Sequence, residues 1–171
     1  IIAAGAVPAM LELLMNMAIV VMNNYITPPL PVGAGAYLLM EFDGIEAQVE
    51  HEIASVREIC QQKGVQELRI IENEKEAASY WEGRSKLYPL MTTVYRRAVT
   101  EDVTVPRNRI PELVRAAQDV SIETGIAIGI AGHAGDGNMH PSMLLMDISP
   151  ETEEKSNLAI EKIIRKGLEL G

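Results

Sequence analysis

The stretch Gly132-His133-Ala134-Gly135-Asp136-Gly137-Asn138-Met139-His140-Pro141 holds two of the chain's three histidines. Asp-Gly between strand-like runs is a strong hairpin signal, because a type I′ turn needs positive φ at both central positions. With Asp136 and Gly137 in those positions, Gly135 faces Asn138, Ala134 faces Met139 and His133 faces His140. Directly opposed residues point to one face, with Cβ atoms roughly 4.5–5.5 Å apart. Two imidazoles so placed can share a metal ion at about 2.0–2.1 Å per nitrogen. They do not complete a site, since catalytic zinc usually takes three protein ligands and structural zinc four. Glu101 is a candidate third ligand. The plainer alternative is a pair of exposed histidines beside a turn.

The strands around this turn have two unlike faces. Ala127, Gly129 and Ala131 share the face of His133, and Ser142 joins His140. Ile126, Ile128 and Ile130 take the other face, which must be the core side. The small-residue face reads either as a floor that a ligand or another domain approaches, or as a seat for closely packed helices. The Gly-x-Gly fragment is no nucleotide loop, because it lies between strands and such loops open a helix.

The elements that position this hairpin follow from periodicity. Residues 8–24 predict a buried amphipathic helix with Pro8 in its first turn and Leu11, Leu14, Ala18, Val21 and Met22 at helical spacing, Glu12 needing a partner or an exposed edge. Ala36–Phe42 predicts a strand. Ile45, Val49, Ile53, Val56 and Cys60 predict a helix ending at Lys63-Gly64, with His51 solvated and Cys60 on the apolar stripe. Leu68–Ile71 predicts a second strand and 74–95 one helix, kinked at Pro89, with Trp81 as a packing residue. Residues 98–105 predict a third strand, 110–125 a helix, 126–132 and 140–146 the two strands of the hairpin. Residues 150–169 predict a last helix, with acidic residues in its first turn. Strands joined by so short a link must be antiparallel. The fold class is therefore α+β, with ferredoxin-like split β-α-β units on a largely antiparallel sheet covered by helices.

Composition bounds the function classes. A chain of 171 residues is near the modal size of one domain, and residues 1–171 are read as a single domain. A formal net charge of −9 argues against nucleic acid, which requires a basic patch. One cysteine excludes an internal disulfide and points to a reducing, cytoplasmic compartment. The apolar N-terminal stretch is broken by Pro8, Glu12 and Asn16, so neither a transmembrane segment nor a signal peptide is expected. One Trp, five Tyr and one Phe stand against nine Met, so the core must be aliphatic and Met-rich. The sequence begins Ile-Ile-Ala-Ala-Gly and reads as a piece of something longer.

His-Ala-Gly-Asp-Gly-Asn-Met-His-Pro resembles the signature of the C-terminal domain of FAD-linked oxidases, which include the glycolate oxidase FAD-linked subunit, D-lactate dehydrogenases and D-2-hydroxyglutarate dehydrogenase. Glu-Leu-Leu-Met-Asn at 12–16, Tyr-Trp-Glu-Gly-Arg at 80–84 and Glu-Asp-Val-Thr-Val-Pro at 101–106 agree with it in order. The resemblance implies a separate FAD-binding domain, with this part covering the flavin and shaping the site of a 2-hydroxy acid such as glycolate or D-lactate. It implies that His133 and His140 ligate a divalent metal such as Zn or Mn, and that Arg84 binds the substrate carboxylate. Gly135, Asp136, Gly137 and Asn138 form the turn that shapes the site. No catalytic base is expected within this chain. The resemblance places a Gly-Glu-His-Gly motif, carrying a third ligand and the base, after Gly171. The family's metal dehydrogenases can carry a Lys ahead of the Asp of the third strand, where this chain has Thr100, so the substrate's identity stays open. Other oxidase subunits, membrane association through them and homo-oligomerisation are the partner expectations. Alone, the chain is expected to bind no FAD and to turn over nothing. The competing reading is a self-contained metal-binding or oligomerisation module without redox activity.

Overall fold

The computed structural model describes residues 1–171. Its strands are β1 (Met10–Met15), β2 (Ala36–Glu41), β3 (Arg97–Thr100), β4 (Val103–Thr104), β5 (Ala127–His133) and β6 (Asn138–Leu145). Its helices are α1 (Asn16–Met22), α2 (Glu46–Gln62), α3 (Glu74–Ser85), α4 (Leu87–Val94), α5 (Ile110–Thr124) and α6 (Pro150–Leu170). The sheet runs β2-β1-β5-β6-β3, with β4 also on β6, and every pairing is antiparallel. Strands β3 and β5 both oppose β6, which lies between them, so they are parallel to each other and joined by α5. That is the expected split β-α-β unit. The α+β class stands.

Helices cover both faces. On one, α5 and α6 bury Leu113, Ala117, Ala159 and Ile163 against Ile130, Met139, Met143 and Leu145. On the other, α1, α3 and α4 bring Ala18, Ile19, Met22, Tyr80 and Met91 onto Leu14, Ala131 and Leu144. The isoleucines of β5 are on the core side, as their alternation requires. A third, small cluster holds Cys60 with Val56 and Ala6, while His51 is exposed.

The helix expected over 8–24 is instead a strand followed by a short helix. Leu11, Leu13 and Met15 alternate with Glu12 and Leu14, and the period of two places Glu12 and Leu14 on one face of β1. Leu14 is buried under α1, and Glu12 finds partners on that face. Pairing with β2 and β5 on both sides outweighs the helical spacing of Leu11 and Leu14.

Three other boundaries shift. Leu68–Ile71 joins no strand, and residues 61–70 are exposed throughout, so no sheet edge receives them. The helix expected over 74–95 breaks at Lys86 and not at Pro89. A proline ring clashes with the carbonyl four residues earlier, here Ser85, so α3 ends at Ser85 and Pro89 falls in the first turn of α4. The third strand is interrupted at Glu101-Asp102 and continues as β4, both parts pairing with β6. No helix is long and apolar enough to cross a membrane.

Candidate functional site

The β5–β6 turn takes a form other than the type I′ expected. Asp136 has negative φ, and Gly137 alone takes the left-handed region at φ 90°. The loop spans 134–137, with Asp136 N–H and Gly137 N–H both donating to His133 C=O at 3.3 and 2.9 Å. The Asp136 carboxylate accepts from Asn138 N–H at 2.9 Å, an Asx turn within the loop. His133 therefore pairs with Asn138, and His140 with Ala131. This shift moves the expected pairing by a whole two-residue period, so face identity survives. His133 and His140 still share one face as diagonal neighbours, with ring centroids 5.1 Å apart and planes at 89°.

The turn is held from two sides. Gly135 N–H donates to Leu11 C=O at 3.3 Å, and Arg107 Nη1 donates to Gly135 C=O at 3.1 Å. Val105 N–H donates to Gly137 C=O at 3.1 Å, and a Cβ on Gly137 would lie 2.0 Å from Val105 O. Only glycine allows that approach. An open hollow lined by Pro106, Arg107, Asn108, Gly135 and Asp136 lies beside the turn, and neither histidine lines it.

The small residues of β5 are not an open floor. Ala131 lies in the core under the helices, and the Cβ position of Gly129 is 3.8 Å from Met17 Sδ and 3.9 Å from Met91 Cε. Small side chains let α1 and α4 sit close to the sheet. The hairpin end of this face carries His133, His140 and Asn138, with Asp102 reaching His140 from the interruption between β3 and β4.

Each imidazole is set by a carboxylate on its Nδ1. His133 Nδ1 pairs with Glu12 Oε1, and His140 Nδ1 lies 2.6 Å from Asp102 Oδ1. Glu12 and Asp102 are the residues that motif reasoning missed. An acid inside the apolar run of β1 was the available signal for Glu12, since a buried carboxylate needs partners. Asp102, and not its neighbour Glu101, reaches His140 because the interruption between β3 and β4 falls there. No cluster of three or more His, Cys, Asp or Glu is arranged to hold a metal.

Arg84 comes in from the last turn of α3. Its Nε donates to Glu12 Oε2 at 2.8 Å, and its Nη2 lies 2.7 Å from the same oxygen, buried but not aligned for a hydrogen bond. Nη1 is left unpaired. Glu12 is 4% exposed, so one buried carboxylate is shared between a guanidinium and an imidazole. Beside His140 on the same face, the hydroxyls of Thr100 and Ser142 are 2.8 Å apart.

The fold is an antiparallel sheet helix-covered on both faces, with a His-flanked hairpin at one end and a buried arginine–glutamate pair beside it. The chain belongs to the family described as FAD linked oxidases, C-terminal domain, whose profile matches residues 1–171. It is 33% identical over 171 residues to the glycolate oxidase subunit GlcD of Bacillus subtilis, covering 100% of this chain and 36% of that protein. Against the subunit of the same name from Escherichia coli K12 it is 30% identical, over 100% of this chain and 34% of the other. A probable mitochondrial D-lactate dehydrogenase of Danio rerio is 25% identical over 98% of this chain and 34% of its own length. The chain thus spans about a third of the length of these relatives. A self-contained metal-binding or oligomerisation module finds no support among them.

FAD, the cofactor in the family's description, and the divalent metal that the sequence resemblance implies fit these residues differently. The glycines of 132–137 shape a hairpin and open no helix, so they do not suit the pyrophosphate of FAD. The imidazoles are donors of a type that a divalent metal takes, with no third His, Cys, Asp or Glu grouped with them to complete a site. With Nδ1 occupied by a carboxylate, Nε2 is the ring nitrogen left for a metal, an arrangement common around bound zinc.

Proposed function

We propose that this chain is the substrate-side domain of an FAD-dependent oxidoreductase acting on a small 2-hydroxy acid, of which glycolate and D-lactate are the leading candidates. The observation that carries the reading is the placing of His133 and His140 on one face, 5.1 Å apart, in the motif that bears the family resemblance. His133 and His140 hold a divalent metal such as Zn or Mn. Its remaining ligands come from solvent, substrate or residues outside this chain. When bound, such a metal polarises an oxygen ligand and lowers the pKa of a hydroxyl.

The chain's own residues supply the rest. Arg84 takes the substrate carboxylate through the Nη1 side that Glu12 leaves free, since a guanidinium matches a carboxylate in shape and charge. The Gly135–Asn138 turn fixes the imidazoles relative to β1 and β4. FAD belongs to another part of the complete enzyme, and this chain alone binds no flavin and turns over no substrate. Other subunits of an oxidase complex are its partners.

Calorimetric titration of this chain with Zn2+ or Mn2+ tests the metal reading. Stoichiometric binding, lost in both His133→Ala and His140→Ala, is the expected result. Affinity unchanged in both variants overturns it.

A further inference from the structure

The side chain of Glu12 is buried between two groups that the proposed function uses. Its Oε2 accepts from Arg84 Nε at 2.8 Å, and its Oε1 faces His133 Nδ1. The three residues come from β1, α3 and β5, and Glu12 is opposite His133 in the register of β1 on β5. A carboxylate has no proton to give at neutral pH, so both neighbours must donate to it. For neutral His133 that means the Nδ1–H tautomer, with the lone pair on Nε2.

From this geometry we infer that Glu12 is a positioning residue that sets the carboxylate-binding guanidinium and a metal-binding imidazole against each other. The inference rests on the metal and substrate reading above and extends it to a group that touches neither. A 2-hydroxy acid carries its carboxylate and hydroxyl on adjacent carbons. A site for it needs a cation and a metal ligand at a fixed separation, and a single buried carboxylate bonded to both provides that constraint. Side chains locked this way hold a productive geometry better than two independent rotamers. Burial serves the same end, because the ion pair is withdrawn from competing water.

The test is Glu12→Gln, read first without metal. The amide keeps the volume and still offers an oxygen to Arg84, but presents an N–H2 to His133 Nδ1. Ring 15N shifts of the neutral imidazole are expected to place the His133 proton on Nδ1 in the wild type and on Nε2 in the variant. Zn2+ affinity should fall by about 10–100-fold, the range for lost outer-shell partners. The thermal midpoint is recorded in parallel, and the wild-type tautomer alone keeps the test decisive if the variant does not fold. An Nε2–H tautomer in the wild type, or unchanged tautomer and affinity in a folded variant, overturns the inference. If the wild type shows Nδ1–H but binds no metal, the metal reading has failed and the positioning by Glu12 has not.

Discussion

Arg84 Nε donates to Glu12 Oε2 at 2.8 Å across 72 positions of the chain, and the two side chains are only 17% and 5% exposed. This contact ties α3 to the sheet at the end where the helices stop. It also explains how a carboxylate is tolerated within a strand that is otherwise apolar. The desolvation of a buried pair offsets much of its attraction, so the contact is better understood as fixing geometry than as adding stability.

Removing one partner of that pair leaves the other charged and buried. Arg84→Ala is expected to destabilise the fold by about 3–5 kcal/mol in urea unfolding. Replacing both, as in Glu12→Leu with Arg84→Met, should recover most of the loss. A single variant that costs less than about 1 kcal/mol would mean that water reaches Glu12.

Gly137 is the one position in the hairpin loop that requires glycine on two counts, a φ of 90° and the nearness of Val105 O. Gly137→Ala is expected to cost at least about 2 kcal/mol, from left-handed backbone strain plus displacement of the Val105 carbonyl. Loss of the nuclear Overhauser contacts between 137 and 105 should accompany it. Gly135 takes no positive φ, and the Cβ position there meets only Leu11 Cβ at 3.8 Å, so Gly135→Ala should be far milder.

The acid limb of stability has an identifiable contributor at the start of α6. The Asp147 carboxyl is held below its usual range, first by the Ser149 backbone N–H and then by the Ser149 and Thr152 side chains. A depressed pKa in the folded state means stability present above the unfolded pKa of about 3.9 and lost as pH falls through the folded value. Asp147→Asn should therefore lower the thermal midpoint at neutral pH and lose this difference from the wild type at low pH. A difference that persists unchanged into acid would contradict the assignment.

Much of the fold was legible from periodicity, because α2, α5 and α6 and the strands of the hairpin carry unbroken patterns. What was not legible depended on contacts distant in sequence. The run Leu11–Met15 satisfies a helical and a strand period equally, and only flanking β2 and β5 decide between them. Leu68–Ile71 has strand-forming residues but no edge to join. In the site, the two histidines and their common face followed from the Asp-Gly motif, although the register did not. The turn is a four-residue loop with positive φ at Gly137 alone and an Asn138 N–H to Asp136 hydrogen bond, which the dipeptide alone does not reveal. Glu12 was marked as needing a partner, but which one it takes, and the part Asp102 plays, depend on imidazoles distant in sequence.

The most direct test of the central claim is titration of glycolate and of D-lactate into this chain with and without Zn2+, followed by NMR of the His133 and His140 rings and the Arg84 Nε–H. Saturable shifts are expected at all of these groups, appearing only with metal and vanishing in His133→Ala and His140→Ala. Shifts that saturate equally without metal, or none at any of these groups for either acid, would contradict that claim.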